Sequence, residues 1–148
     1  MKGKDLQILI ADSNLATNLH LKIKLEKLGF SVIAMAENAF RLLYLLDKLN
    51  PNIIIIDTEL LSNTVENHLK QLKTPILFTT CFGCETLLIR LSKQKNTIGY
   101  LVKPVDKFSL YSGIEWAVKF HLYNRNRKDI LRTEKLDEVD NFSQKQNE

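Results

Sequence analysis

Four isoleucines in succession, Ile53 to Ile56, run directly into Asp57. β-Branched side chains favour a pleated backbone, and successive residues of a strand face opposite sides. A run with no polar position therefore leaves neither side for water. That is the pattern of a strand inside a parallel sheet covered by helices on both faces. Asp57 closes the run, at the strand end where open α/β sheets gather their ligands. Taken alone, the same aspartate is equally at home capping the turn that follows.

The rest of the chain alternates in the same style. Leu6 to Ala11 forms a first apolar strand and stops at Asp12-Ser13-Asn14, a helix-starting cluster. Leu15 to Leu28 has helical spacing, with Leu15, Leu19, Leu21, Ile23, Leu25 and Leu28 expected to form one broad apolar face. Gly29 then suits a left-handed cap. A strand over Phe30 to Ala36 and a helix over Asn38 to Leu49 follow, closed by Asn50-Pro51-Asn52. After the isoleucine strand come a short helix around Val65 to Leu72, a strand over Ile76 to Thr80 and a helix over Glu85 to Lys93. A fifth strand, Ile98 to Val102, ends at Lys103-Pro104, and Asp106 is placed to cap a fifth helix running through Trp116 and Tyr123. Strand–helix pairs with short links imply right-handed crossovers and a parallel sheet, an α/β fold. Residues 124–148 carry few apolar positions among many charges, as expected for a helical extension followed by a disordered polar tail.

Composition narrows the function further. A chain of 148 residues suits one domain with its own core. The net charge of +4 is scattered along the sequence, which argues against a nucleic-acid reader. No apolar run approaches the ~20 residues needed to span a bilayer. Met1 to Asp5 shows no signal-peptide pattern, so the expected location is the cytoplasm. Cys81 and Cys84 form a lone Cys-x-x-Cys with no second pair to complete a zinc site, and two reduced loop thiols is the simpler reading.

Four polar residues then stand at the ends of four strands: Asp12, Asp57, Thr80 and Lys103. In a parallel sheet these ends share one edge, so the four can converge. Two carboxylates, a hydroxyl and an ammonium suit a hard divalent cation beside an anion, and a carboxylate can itself accept a phosphoryl group. Each has a plainer use: Asp12 as a helix cap, Thr80 or its neighbour Thr79 as an ordinary strand residue, Lys103 as a solvated turn. His20, His68 and His121 are dispersed and suggest no base or ligand set.

Ile8-Leu9-Ile10-Ala11-Asp12, Leu28-Gly29-Phe30, Ile54-Ile55-Ile56-Asp57 and Gly99-Tyr100-Leu101-Val102-Lys103-Pro104 resemble, in order and spacing, the motifs of response-regulator receiver domains. The resemblance covers residues 6–123, so that 1–123 is assigned to the domain and 124–148 to the extension and tail. It implies a flavodoxin-like (βα)5 doubly wound sheet of strand order 2-1-3-4-5. It also implies a stand-alone signalling domain rather than an enzyme, phosphorylated on Asp57 by a histidine kinase or phosphotransfer protein, and acting through a downstream protein. By the same resemblance Mg²⁺ is held by Asp12, Asp57 and the backbone carbonyl of Glu59, with Ser13 a further candidate. Thr80 and Lys103 contact the phosphoryl group, Thr80 and Tyr100 report its arrival, and the Lys103–Pro104 peptide is cis. A homodimer is implied as an option, through the helix 4–strand 5–helix 5 face or through an extended helix in which Ile114, Val118, Leu122 and Ile130 line up. Neither nucleic acid nor membrane is among the implied partners.

Three departures stand out. Ser13 occupies the position of the family's second acidic residue, which predicts weak Mg²⁺ binding. Leu60 to Val65 lacks the usual proline and glycines, and the bulkier Cys81 follows Thr80. A phosphorylation-independent pseudo-receiver, working as a protein-binding module, is the alternative these changes keep open. A small phosphatase on the same fold is disfavoured, since no Cys-x₅-Arg loop or glycine-rich phosphate cradle is present.

Overall fold

The computed structural model describes residues 5–81 and 85–120, together with Tyr123, Arg127 and Leu131. Five strands, β1 (Gln7–Ala11), β2 (Ser31–Ala36), β3 (Ile53–Asp57), β4 (Ile76–Thr80) and β5 (Thr97–Val102), form one sheet in the order β2-β1-β3-β4-β5. Every pairing is parallel. Helices α1 (Leu15–Lys27), α2 (Ala39–Lys48), α3 (Asn63–Lys70) and α4 (Glu85–Ser92) link them. A fifth helix, α5, takes up residues 107–120, and Tyr123, Arg127 and Leu131 are helical and exposed. The flavodoxin-like doubly wound architecture read from the sequence is the one observed.

The packing of β3 explains its unbroken run of isoleucines. Ile53 and Ile55 face a core built with Leu21 and Leu25 of α1 and Leu110, Ile114 and Ala117 of α5. Ile54 and Ile56 face the opposite core, with Leu42 and Leu45 of α2, Leu69 of α3 and Leu91 of α4. All four isoleucines are fully buried, and at about 25 cal/mol per Å² such side chains supply most of the stabilisation.

Chain direction is set by local chemistry at the helix ends. Asn14, Asn38 and Ser62 accept from the backbone N–H of Thr17, Arg41 and Val65 and so cap α1, α2 and α3. Asp106 caps α5 by accepting from the Ser109 N–H at 2.8 Å. Gly29, at φ 91°, turns α1 into β2 in the left-handed conformation expected of it. At Gly113 an added Cβ would stand 3.2 Å from a Leu77 methyl, which would have to shift by a few tenths of an ångström, so α5 packs closely on the sheet there.

Two sequence expectations need correction. Leu15, Leu19 and Ile23 do not join the buried face of α1: they are 61%, 42% and 49% exposed. Residues four apart on a helix advance about 40° per step, so this line winds away from the sheet-facing set of Asn18, Leu21 and Leu25. Likewise Ile114 is fully buried and Val118 packs against the same core, so these two are not free to pair with a second copy. Leu122 and Ile130, which were to continue that line, lie outside the described residues, as do most of the extension and the tail. Cys81 is a free, exposed thiol, and Cys84 is outside the described residues.

Candidate functional site

Parallel pairing puts the carboxyl ends of β1, β3, β4 and β5 on one edge, and the side chains there meet. Lys103 Nζ donates to Asp12 Oδ2 at 2.7 Å and to Asp57 Oδ2 as well. Both carboxylates are nearly sealed from solvent, 2–3% exposed, while the lysine side chain keeps 21%. Each aspartate uses its other oxygen for the backbone. Asp12 Oδ1 accepts from the Asn14 N–H and Asp57 Oδ1 from the Glu59 N–H, both at 2.8 Å. The turn-capping role open to each aspartate and its place in the cluster are therefore held at once, by different oxygens.

These surroundings move the acid–base balance. Burial pushes the Asp57 carboxyl up from the usual carboxylate range, against the lowering effect of Lys103 and of the Glu59 N–H. Burial also works to lower the Lys103 ammonium, but its bonds to Asp12 and Asp57 outweigh that and hold it above its ordinary value. Both groups are raised, but for different reasons: dehydration dominates at the sealed carboxylate, whereas the carboxylate partners dominate at the amine, which still reaches water.

The remaining sequence candidates lie around this cluster. Thr79 stands across from Asp57 in the sheet register, and Thr80 is the next residue. Thr80 is buried; its hydroxyl donates to the Cys81 carbonyl at 3.0 Å and accepts from Thr58 Oγ1 at 3.4 Å. Its hydroxyl makes no bond to Asp57 or to the Lys103 amine among the described residues, although the Lys103 N–H donates to the Thr80 carbonyl at 2.8 Å. Tyr100 is half-buried, its hydroxyl donating to the Leu88 carbonyl at 2.5 Å and its ring against Phe78. Ser13 and Glu59 are exposed at the mouth, and Lys103–Pro104 is a cis peptide.

Three supporting residues escaped the sequence reading. Thr58 is buried between Asp57 and Thr80. Asn18, fully buried, donates through Nδ2 to the carbonyls of Asp12 (2.9 Å) and Ala36 (3.2 Å), fixing the end of β1. Its place in line with Leu21 and Leu25 was the available signal, since a polar residue on a buried stripe needs a partner. Lys24 donates to the Val105 carbonyl at 2.6 Å and ties α1 to the loop that carries Lys103.

Among the described residues no set of three His, Cys, Asp or Glu side chains is gathered for a metal. The donors at the mouth are two carboxylates and nearby carbonyl and hydroxyl oxygens, a set that suits a weakly held, largely hydrated Mg²⁺.

Known proteins share this fold. The signal receiver domain of a modulated diguanylate cyclase from Desulfovibrio desulfuricans G20 is 30% identical, at a TM-score of 0.68, over 80% of this chain and 99% of that one. A response-regulator receiver domain protein from Clostridium thermocellum, 24% identical, matches 85% of this chain and 98% of its own at a TM-score of 0.66. No family model matches. The chain belongs to the response-regulator receiver domains. A curated relative, the transcriptional regulatory protein YdfI of Bacillus subtilis, is 28% identical over 118 residues, 76% of this chain. This chain spans only about half, 55%, of that relative's length.

Proposed function

We propose that this receiver accepts a phosphoryl group on Asp57 from a histidine kinase or phosphotransfer protein and passes the signal on by protein contact. The observation that carries the reading is Lys103, whose amine joins Asp57 to Asp12 across three strands. A carboxylate oxygen of Asp57 attacks phosphorus, the bond from phosphorus to the donor nitrogen breaks with its electron pair leaving on the imidazole, and an acyl phosphate results. Such transfers need in-line positioning and positive charge on the equatorial oxygens, and Lys103 is placed to supply part of that charge. Asp12, Asp57 and the Glu59 carbonyl would hold Mg²⁺, which neutralises phosphoryl charge when bound. The Thr80 hydroxyl, bonded here to the Cys81 carbonyl, would leave it to meet a phosphoryl oxygen. The exposed line of Leu15, Leu19 and Ile23 begins three residues from Asp12 and offers a helical donor an apolar footing beside the mouth.

Incubation with Mg²⁺ and acetyl phosphate, read by intact mass, tests this directly. One added phosphoryl group is expected on the native chain and none on Asp57→Asn. A native chain that stays unmodified, and that also ignores beryllofluoride, would leave the pseudo-receiver in possession. That second reading draws on Ser13, which withholds the carboxylate a tighter cation site would use, and on Lys103, which already pairs with both aspartates.

Ser13 supplies its own prediction. Ser13→Asp adds a carboxylate at an exposed position beside Asp12, and Mg²⁺ affinity by calorimetry should rise roughly tenfold, about 1.4 kcal/mol. Unchanged or weaker binding would mean that the missing acid is not what limits the site.

A further inference from the structure

At the opposite edge of the sheet, by the amino ends of β4 and β5, lies a groove of about 1330 Å³ between the ends of α3 and α4 and the helical residues past α5. Six cations line it: Lys70, Lys73, Arg90, Lys93, Lys95 and Arg127. Its single acidic side chain, Glu66, is already paired with Arg90 at 2.6 Å. Lys70, Lys73, Lys93 and Lys95 make no ion pair among the described residues. So many like charges around one depression repel one another unless an anionic partner lies among them. The lining also has apolar members, Leu72, Phe120 and Leu131, so the fitting partner is acidic and apolar by turns.

The chain carries such a segment immediately beyond the groove. After Leu131, itself part of the wall, residues 134–142 read Glu134-Lys135-Leu136-Asp137-Glu138-Val139-Asp140-Asn141-Phe142. That is four carboxylates against one lysine, with Leu136, Val139 and Phe142 three apart. We propose that residues 134–142 fold back into this groove, their carboxylates among the lysines and their apolar side chains on Phe120 and Leu131. Reach is no obstacle: Leu131 itself lines the groove, Glu134 follows three residues on, and nine residues extended span about 30 Å. Tethering at Leu131 gives the segment an effective concentration of order mM, so modest contacts suffice. A nucleic acid would satisfy the charges but leave the apolar wall without a use, and it has no such tether. The contact is remote from Asp57 and goes beyond the phosphorylation reading, standing or failing without it.

The test uses the full chain, ¹⁵N-labelled, with Cys81→Ser and Cys84→Ser and a nitroxide attached through Ser143→Cys. Amide signals of Lys70, Gln71, Lys73, Lys95 and Asn96 should lose roughly half their intensity at about 50 mM salt and recover at about 500 mM, where charge screening is severe. They should also recover when Glu134→Gln, Asp137→Asn, Glu138→Gln and Asp140→Asn are combined, changes confined to the segment itself. Full intensity at low salt would overturn the proposal, as would broadening indifferent to salt and to the neutralised segment. Broadening that vanishes on dilution would overturn it by giving the groove to a second copy. Groove signals that ignore the label but shift with a short DNA duplex would give it to nucleic acid.

Discussion

Replacing Lys103 by methionine should destabilise the protein by about 3 kcal/mol near neutral pH, the usual scale for stripping one partner from a buried ion pair. Methionine keeps much of the lysine stem's bulk, so the loss reports charge rather than packing. What remains is Asp12 and Asp57, both nearly sealed and now facing each other without a cation. With the cation gone, Asp57 would favour its protonated form further, taking its folded-state pKa above the unfolded value of about 4. A raised carboxyl pKa contributes stability that is fully present below the unfolded value and lost as pH climbs through the folded one. The variant's deficit should therefore be greatest at about pH 7–8 and shrink toward pH 4–5. In the native chain Asp57 already leans this way, because burial raises it, while the raised Lys103 ammonium contributes stability that persists below its ordinary value of about 10.4 and fades above it. Urea denaturation at the two pH values measures the effect. Adding Asp57→Asn to Lys103→Met should return part of the loss, since one uncompensated charge is removed. A deficit below about 1 kcal/mol, or one that grows on acidification, would show that the three groups do not hold one another as described.

Phe78→Ala should cost about 3–5 kcal/mol, by a different mechanism. Phe78 is fully buried in the core between the sheet and α2, α3 and α4. Its ring stacks on Tyr100 with centroids 6.2 Å apart and planes 26° from parallel. Truncation leaves a cavity that flanking isoleucines on a rigid strand cannot close, and it removes an aromatic pair worth about 0.5–1.5 kcal/mol. The Tyr100 hydroxyl stays bonded to Leu88, so the phenol is left anchored at its tip and unsupported along its ring. Phe78→Leu, which fills most of the space, should lose about 1–2 kcal/mol. The one titratable partner, the Tyr100 phenol, is pushed up by burial from a value already near 10, so unlike the lysine variant this loss should be nearly constant from about pH 5 to 8. A strong pH dependence, or a loss no larger for alanine than for leucine, would contradict the packing described.

Sequence alone carried the strand–helix alternation, because an apolar run of β-branched residues has few other solutions and because glycine, asparagine and aspartate punctuate it. It also brought Asp12, Asp57 and Lys103 to one edge, since parallel strands in this order leave their carboxyl ends nowhere else to be. Tertiary structure decided which side of each helix is buried. On α1 the leucines and isoleucine are spread almost around the cylinder, so periodicity could not tell Leu21 and Leu25, which meet the sheet, from Leu15 and Ile23, which meet solvent. Only packing reveals that Asn18 pins the end of β1, that the Thr80 hydroxyl is held by its own chain, and that Lys24 tethers the Lys103 loop. The physical reason is common to all of these. Pattern along the chain follows local backbone geometry, whereas the partner of a buried polar group is chosen by whatever distant segment the fold brings within about 3 Å.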